Sequence, residues 1–225
     1  MSGIVVMGAA GGCGTTTLAC ALALHMAPPG GSPLLVDAGM HGAGPAALWG
    51  LDPARALDDL LPLGDGVTAG HVDQVVHHHA CGVDVIAGST GPAGAALWHG
   101  PRAQAVAAHV AARGEWVADA GQGDAPLAQV LVRQATRLVL VVPATVQGAA
   151  RAARGLPALE QPAVLVASAL PGGDALAARA MRAAMGGRAV VALDRDDRGA
   201  RDVAEGRLPR GRRMARAVDA VLEQA

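Results

Sequence analysis

Gly8-Ala9-Ala10-Gly11-Gly12-Cys13-Gly14-Thr15-Thr16-Thr17 is the stretch on which the reading of the chain turns. The apolar run Gly3-Ile4-Val5-Val6-Met7 precedes it, and Leu18-Ala19-Cys20-Ala21-Leu22-Ala23-Leu24 follows, apolar for long enough to be a buried helix. The order is therefore strand, glycine loop, helix. Four glycines in the seven positions from Gly8 to Gly14 let successive backbone N–H groups turn inward, and the positive end of the next helix reinforces them. Such a loop cradles an anion. The phosphate-binding pattern G-x-x-x-x-G-K-[ST] places a Lys on the β/γ-phosphates and a hydroxyl on Mg²⁺. Here Ala9 stands at the first glycine and Thr15 at the lysine, whereas Thr16 keeps the hydroxyl. The cradle is retained without its cation. The candidate binding residues are Gly11, Gly12, Cys13, Gly14, Thr15, Thr16 and Thr17; the alternative is a strand-to-helix turn that keeps its shape and holds no ligand.

Beyond the loop, short β-like runs alternate with Ala-rich helical stretches, the pattern of an α/β fold with a mostly parallel sheet covered by helices on both faces. About seven strands are expected, at 4–7, 34–37, 83–87, 116–119, 138–142, 163–167 and 189–193. Asp52-Pro53 reads as a helix start, Gly30-Gly31 and Gly186-Gly187 as helix ends, and Leu61 to Cys81 as the least structured part. One domain over 1–225 is expected. Two strand ends carry chemistry: Leu34-Leu35-Val36-Asp37-Ala38-Gly39 and Trp116-Val117-Ala118-Asp119-Ala120-Gly121. Ligands in open α/β sheets bind beyond the carboxyl ends of strands. An apolar strand ending in Asp, with Gly two residues on, suits a Mg²⁺-side carboxylate and a γ-phosphate sensor. The candidate metal residues are thus Thr16, Asp37 and Asp119; a helix cap or solvated strand end is the plain alternative for each Asp.

Composition narrows the class. The 225 residues are 52% hydrophobic with no Phe or Tyr and three Trp, so aliphatic side chains must fill the core. A net charge of −1 gives no global field toward nucleic acid or membrane. Three cysteines are no disulfide framework, no charged leader opens the sequence, and no stretch approaches the roughly 20 apolar residues of a membrane span. A cytoplasmic protein is expected.

With the loop and both Asp strands in hand, the sequence resembles the ParA/MinD superfamily of deviant P-loop ATPases, whose loop reads K-G-G-x-G-K-[ST]. Gly11 to Thr17, the strand ending Asp37-Ala38-Gly39, the strand ending Asp119-Ala120-Gly121, and Arg137 to Ala144 carry the likeness. Asp194-Arg195-Asp196-Asp197-Arg198-Gly199, then Gly206-Arg207-Leu208-Pro209-Arg210-Gly211 and the last helix from Arg213, are similar to the CpaE/TadZ-like, septum-site-determining branch. The resemblance implies a P-loop NTPase fold of the SIMIBI type, ATP or ADP with Mg²⁺ as cofactor, and protein partners in a Tad-type pilus, secretion or division apparatus.

The departures bear on activity. The family's signature lysine, which crosses a nucleotide-sandwich dimer, corresponds to Ala10, its second lysine to Thr15, and the carboxylate that positions the attacking water to Gly39. The base-reading Asn has no counterpart near Ala167-Ser168. A charge-assisted hydrogen bond contributes about 1.5–3 kcal/mol, so each lost lysine contact weakens nucleotide binding roughly ten- to a hundredfold. Hydrolysis loses more, since one positioned arginine contributes about 10³–10⁵ in rate. The expectation is a non-hydrolysing positioning protein in which nucleotide binds weakly or not at all, with no catalytic residue assigned. Any homodimer is expected to use a surface other than the nucleotide sandwich. Two rivals remain: an active ATPase with a partner's arginine in place of the lysines, and a DNA-binding partition module.

Two further clusters are weighed against a site, metal for the histidines and acidic lipid or DNA for the arginines, and the plain structural reading is preferred for each. His77-His78-His79 with His71 and Cys81 lacks metal-ligand spacing, because consecutive residues point in different directions. Arg207, Arg210, Arg212, Arg213 and Arg216 read as the solvated entry to a last helix whose Met214, Ala217, Val218, Val221 and Leu222 follow helical spacing.

Overall fold

The computed structural model describes residues 2–27, 31–39, 44–89, 91–155, 163–169, 181–183, 185–186 and 188–224. Eight strands form one sheet: β1 (Ser2–Gly8), β2 (Leu34–Asp37), β3 (Val76–His78), β4 (Asp84–Ile86), β5 (Glu115–Asp119), β6 (Arg137–Pro143), β7 (Ala163–Ser168) and β8 (Val190–Leu193), in the order β3-β4-β2-β5-β1-β6-β7-β8. Every neighbouring pair is parallel except β3 with β4. β1 lies between β5 and β6, so the loop that leaves it emerges at the middle of the carboxyl edge.

Alternation along the strands sorts side chains between two helical layers. Val5, Leu34, Val36, Ile86, Trp116 and Leu138 face one layer. That layer holds α3 (Ala69–Gln74), α4 (Pro92–Leu97), α5 (Gly100–Ala112), α6 (Pro126–Gln134) and a 3₁₀ segment at Leu57–Gly66. Leu140, Val142, Leu165 and Ala167 continue the same face under α7 (Val146–Gly155). Ile4, Val6, Leu35, Val85, Val117, Val139 and Val141 face the other layer, built of α1 (Thr15–His25), α2 (Pro45–Leu48), α8 (Asp197–Ala204) and α9 (Arg212–Glu223). Leu18 through Leu24 are buried without a break because α1 is sandwiched between the sheet and α8 and α9, which is why it is apolar all round.

The α/β expectation and the strand positions hold, with an eighth strand added. β3 is a short antiparallel edge, and three consecutive histidines conceal it because they carry no apolar alternation. Leu61 to Cys81 is ordered rather than loop-like: it takes in the end of the 3₁₀ segment, α3 and β3, since Val67, Val72, Val75 and Val76 are all buried in the core. Asp52-Pro53 starts no helix. The Asp52 carboxylate accepts the Ala54 N–H at 2.9 Å and closes a single turn, and the 3₁₀ segment begins only at Leu57, where Asp59 accepts the Ala56 N–H at 2.9 Å. Gly186, at φ +65°, donates to the Ala183 carbonyl at 3.2 Å and closes its helical turn; Gly30 and Gly187 lie outside the described residues.

One side chain ties the C-terminal elements together. Asp196 accepts the Gly199 N–H at 2.8 Å, capping α8, and the Met214 N–H at 3.0 Å in the first turn of α9. Burial opposes its charge, but the amides of Gly199, Met214 and Arg213 outweigh that and hold the carboxyl below the usual carboxylate range. A carboxyl depressed by folding stabilises above its unfolded pKa and stops doing so as the pH falls through its folded value. Replacing Asp196 with Ala should therefore lower the unfolding free energy in urea by about 0.5–2 kcal/mol at neutral pH. The difference from the unsubstituted protein should shrink once the pH drops below about 4.

Candidate functional site

The glycine loop occupies residues 9–14, and its end is set by backbone conformation: Gly12 and Gly14 have φ of +72° and +92°, the left-handed region that side chains resist. From Gly14 the chain turns directly into α1, whose first bond runs from the Leu18 N–H to the Gly14 carbonyl at 2.9 Å. Ala9 N–H donates to the Val141 carbonyl and Gly8 N–H to the Gly121 carbonyl, at 2.8 and 2.7 Å, so both flanking strands hold the loop root.

The seven residues expected to bind divide by side-chain direction. Cys13 is 1% exposed; its thiol donates to the Val141 carbonyl at 3.6 Å and lies 3.3 Å from the Thr15 hydroxyl, which is buried too. Both point back toward β1, where a Cβ on Gly8 would collide with the Thr15 hydroxyl. Cys13 and Thr15 therefore offer the cradle only their backbone. Thr16 points the other way and donates to Asp119 Oδ2 at 2.5 Å. The second oxygen, Asp119 Oδ1, accepts the Gly121 N–H at 3.1 Å.

Asp37 sits opposite Asp119 in the β2–β5 register, and the two are 5% and 3% exposed. Glycines make the room around it: a Cβ on Gly88 would come within 2.6 Å of the Asp37 carbonyl oxygen and 2.8 Å of its Cγ, and one on Gly44 would collide with the carboxylate. Neither glycine is marked by a sequence pattern, because each is defined by what it approaches across the sheet edge. The pair makes the local field negative. Burial raises the Cys20 thiol on α1 well above its ordinary range, and the charges of Asp119 and then Asp37 push it further the same way.

Thr16, Asp37 and Asp119 line one cavity of about 440 Å³, together with Gly11, Gly12, Gly14, Thr15 and Thr17 of the loop and with Gln122, which sequence reasoning passed over. Its described walls carry two carboxylates and no Lys, Arg or His. A hydroxyl and carboxylate oxygens are hard donors suited to Mg²⁺, and the loop amides beside them suit phosphate. The residues present fit a Mg²⁺-bound phosphate group, with the charge deficit that the missing lysines leave.

Gly39 also lines this cavity, and its backbone packs on the neighbouring strand end. Gly39 N–H donates to the Asp119 carbonyl at 2.8 Å, and a Cβ on Gly39 would sit 2.7 Å from the Gly121 nitrogen. A carboxylate at this position requires the two strand ends to part. On the far side of the loop a second cleft of about 290 Å³ is lined by Gly12, Cys13, Gly14, Thr17, Ser168, Ala169, Leu193 and the start of α8.

The histidines diverge. His77 Nε2 bonds the Arg55 carbonyl at 2.6 Å, His78 Nδ1 bonds Asp84 at 2.7 Å, and His79 stacks on Trp49 at 5.1 Å with Nδ1 2.9 Å from the Cys81 thiol. Among the described residues no group of three or more His, Cys, Asp or Glu is placed to hold a metal ion. Arg207 pairs with Asp202 at 3.3 Å and with Glu205, and Arg213 bonds the Arg195 carbonyl at 2.9 Å, while Met214, Ala217, Val218 and Val221 of α9 are buried. No helix among the described residues is long and apolar enough to cross a membrane.

No protein-family model matches the sequence, and no curated protein matches it significantly. Solved structures do match the fold along its whole length. A ParA family ATPase from Chlorobium tepidum aligns over 100% of this chain and 98% of its own, with a TM-score of 0.76 at 17% identity. The fold is that of the ParA and MinD ATPases. An ATP complex of a Cyanothece McdA variant covers 99% of this chain and 95% of its own, at TM-score 0.76 and 18% identity. The septum site-determining protein MinD from Pyrococcus horikoshii, complexed with Mg-ADP, covers 98% and 96%, at TM-score 0.71 and 15% identity.

The contact at Gly39 yields a direct test. Gly39→Asp should destabilise the protein by about 1–3 kcal/mol in urea unfolding, the cost of forcing a side chain into a packed backbone contact. It should produce no ATP turnover in a phosphate-release assay.

Proposed function

We propose that this chain is a nucleotide-binding positioning protein of the ParA/MinD type, folded as one P-loop NTPase-like domain over 1–225, that holds ATP or ADP with Mg²⁺ and does not hydrolyse ATP. The observation that carries this reading is the 2.5 Å hydrogen bond from Thr16 to Asp119 beneath the glycine loop. It couples a first-turn hydroxyl of α1 to a strand-end carboxylate in a cavity that Asp37 also enters, which is the donor set for a phosphate-bridged Mg²⁺. The amides of Gly11 to Thr17 serve the phosphates, and Thr16, Asp37 and Asp119 serve the metal, directly or through water. The cleft between the loop and Ser168, Ala169 and Leu193 lies where a base attached to those phosphates has space. Nucleotide in two structures of the same fold, one with ATP and one with Mg-ADP, supports the cofactor.

Absence of turnover follows from three positions. Ala10 stands at the signature lysine, Thr15 at the second lysine with its hydroxyl buried, and Gly39 where the water-orienting acid belongs. A protein that binds without turning over acts by occupancy, recruiting or releasing partners. The C-terminal pattern from Asp194 to Gly211 supports the CpaE/TadZ-like branch and, with it, partners in a pilus, secretion or septum apparatus.

Titration calorimetry with ADP and with a non-hydrolysable ATP analogue should show saturable binding that requires Mg²⁺, and Thr16→Ala should weaken it about tenfold or more. Phosphate release should stay at the protein-free rate. Mg²⁺-dependent turnover by the pure protein, abolished by Asp119→Ala, would overturn the non-hydrolysing reading in favour of an ATPase that borrows a cation.

A further inference from the structure

A triphosphate entering the 440 Å³ cavity meets two carboxylates and, on the described walls, no basic side chain. Cations stand in the clefts that share those walls. On the Ser168 side the basic group is Arg195, whose Nε is already held by Asp197 at 2.8 Å. On the opposite side two clefts of about 250 and 440 Å³ open at Ala9 and Ala10, and Arg151 lines both. The smaller shares Gln122 with the nucleotide cavity and the larger shares Ala10, so Arg151 borders the site from the side where the loop has lost a lysine.

α7 fixes that placement. A Cβ on Gly148 would collide with the Pro143 carbonyl oxygen, so the helix is pressed against the end of β6, and the Gly148 N–H donates to the Thr145 hydroxyl at 3.0 Å. Ala149 and Ala152 are 4% and 2% exposed in the core. With those residues seated, Arg151, three residues after Gly148, is carried on the flank of α7 beside the loop. Its side chain is exposed, and its guanidinium has no hydrogen-bond or ion-pair partner among the described residues.

We propose that Arg151 is the cation of this site, bonding the terminal phosphate of ATP bound in the same chain, so that the protein holds ATP in preference to ADP. This rests on the nucleotide reading above and deepens it. The charge is restored only on the Ala10 side. Thr15 still fills the lysine position and Gly39 still leaves the attacking water without its acid, so ATP is retained rather than consumed.

The test is nucleotide affinity of the full chain with Mg²⁺, read by competition with a fluorescent nucleotide, for the unsubstituted protein, Arg151→Ala and Arg151→Lys. Arg151→Ala should weaken ATP about ten- to a hundredfold and ADP less than about threefold, the signature of one charge-assisted bond to the terminal phosphate. Arg151→Lys should recover part of the loss, and the unfolding midpoint should not move. Equal weakening of ATP and ADP, or no weakening, overturns the proposal while leaving the nucleotide site intact. ATP affinity that rises with protein concentration overturns the same-chain assignment in favour of a guanidinium from a second copy. No binding of either nucleotide by the unsubstituted protein overturns this proposal together with the reading beneath it.

Discussion

Asp119 holds the carboxyl edge of the sheet together. Its carboxylate accepts the Thr16 hydroxyl at 2.5 Å and the Gly121 amide at 3.1 Å, and its carbonyl accepts the amides of Ala38 and Gly39, each at 2.8 Å. One residue thus ties the start of α1, the turn after β5 and the turn after β2. Hydrogen bonds to a buried charge are among the stronger ones, and leaving that charge unpaired would be costly. The glycine loop, whose root is bonded to Val141 and Gly121, is suspended over this knot and takes its shape from it.

The knot also sets the electrostatics. Two buried carboxylates in register face a cavity whose described walls have no cation, and on α1 their charges add to the burial that already raises the Cys20 thiol. Carboxylates in that position repel a bare anion more than one that carries a divalent cation. Glycine amides alone favour any phosphate; on the nucleotide reading proposed above, the carboxylates beside them make the metal part of the ligand. The backbone contact of Gly39 with Gly121 closes the space a third acid would use.

Tight backbone approaches recur wherever an element must be aimed. Gly44 and Gly88 enclose Asp37, Gly148 presses α7 onto Pro143, and a Cβ on Gly211 would collide with the carboxylate of Asp196 that links α8 to α9. In a core that has no Phe or Tyr, these contacts do much of the positioning that larger rings provide elsewhere. They account for the precision with which small residues place a few polar side chains.

The strand, loop and helix around Gly8 to Thr17 and the two apolar strands ending in Asp were legible in the amino-acid sequence, because glycine conformational freedom, apolar run length and strand alternation are local properties of the chain. The ordered character of Leu61 to Cys81 and the edge strand at Val76–His78 were not, since burial of Val67, Val72, Val75 and Val76 in the core, not local propensity, organises them. Likewise Asp52-Pro53 has the chemistry of a helix cap and closes only a turn, because the next residues fold into a 3₁₀ segment against the sheet. The sequence by itself determined the fold class and the residue types offered to a ligand. Only the tertiary structure decided that the Thr15 and Cys13 side chains turn away, that Gly39 is blocked by Gly121, and that Arg151 borders the loop, because each depends on segments far apart in the chain meeting at one edge of the sheet.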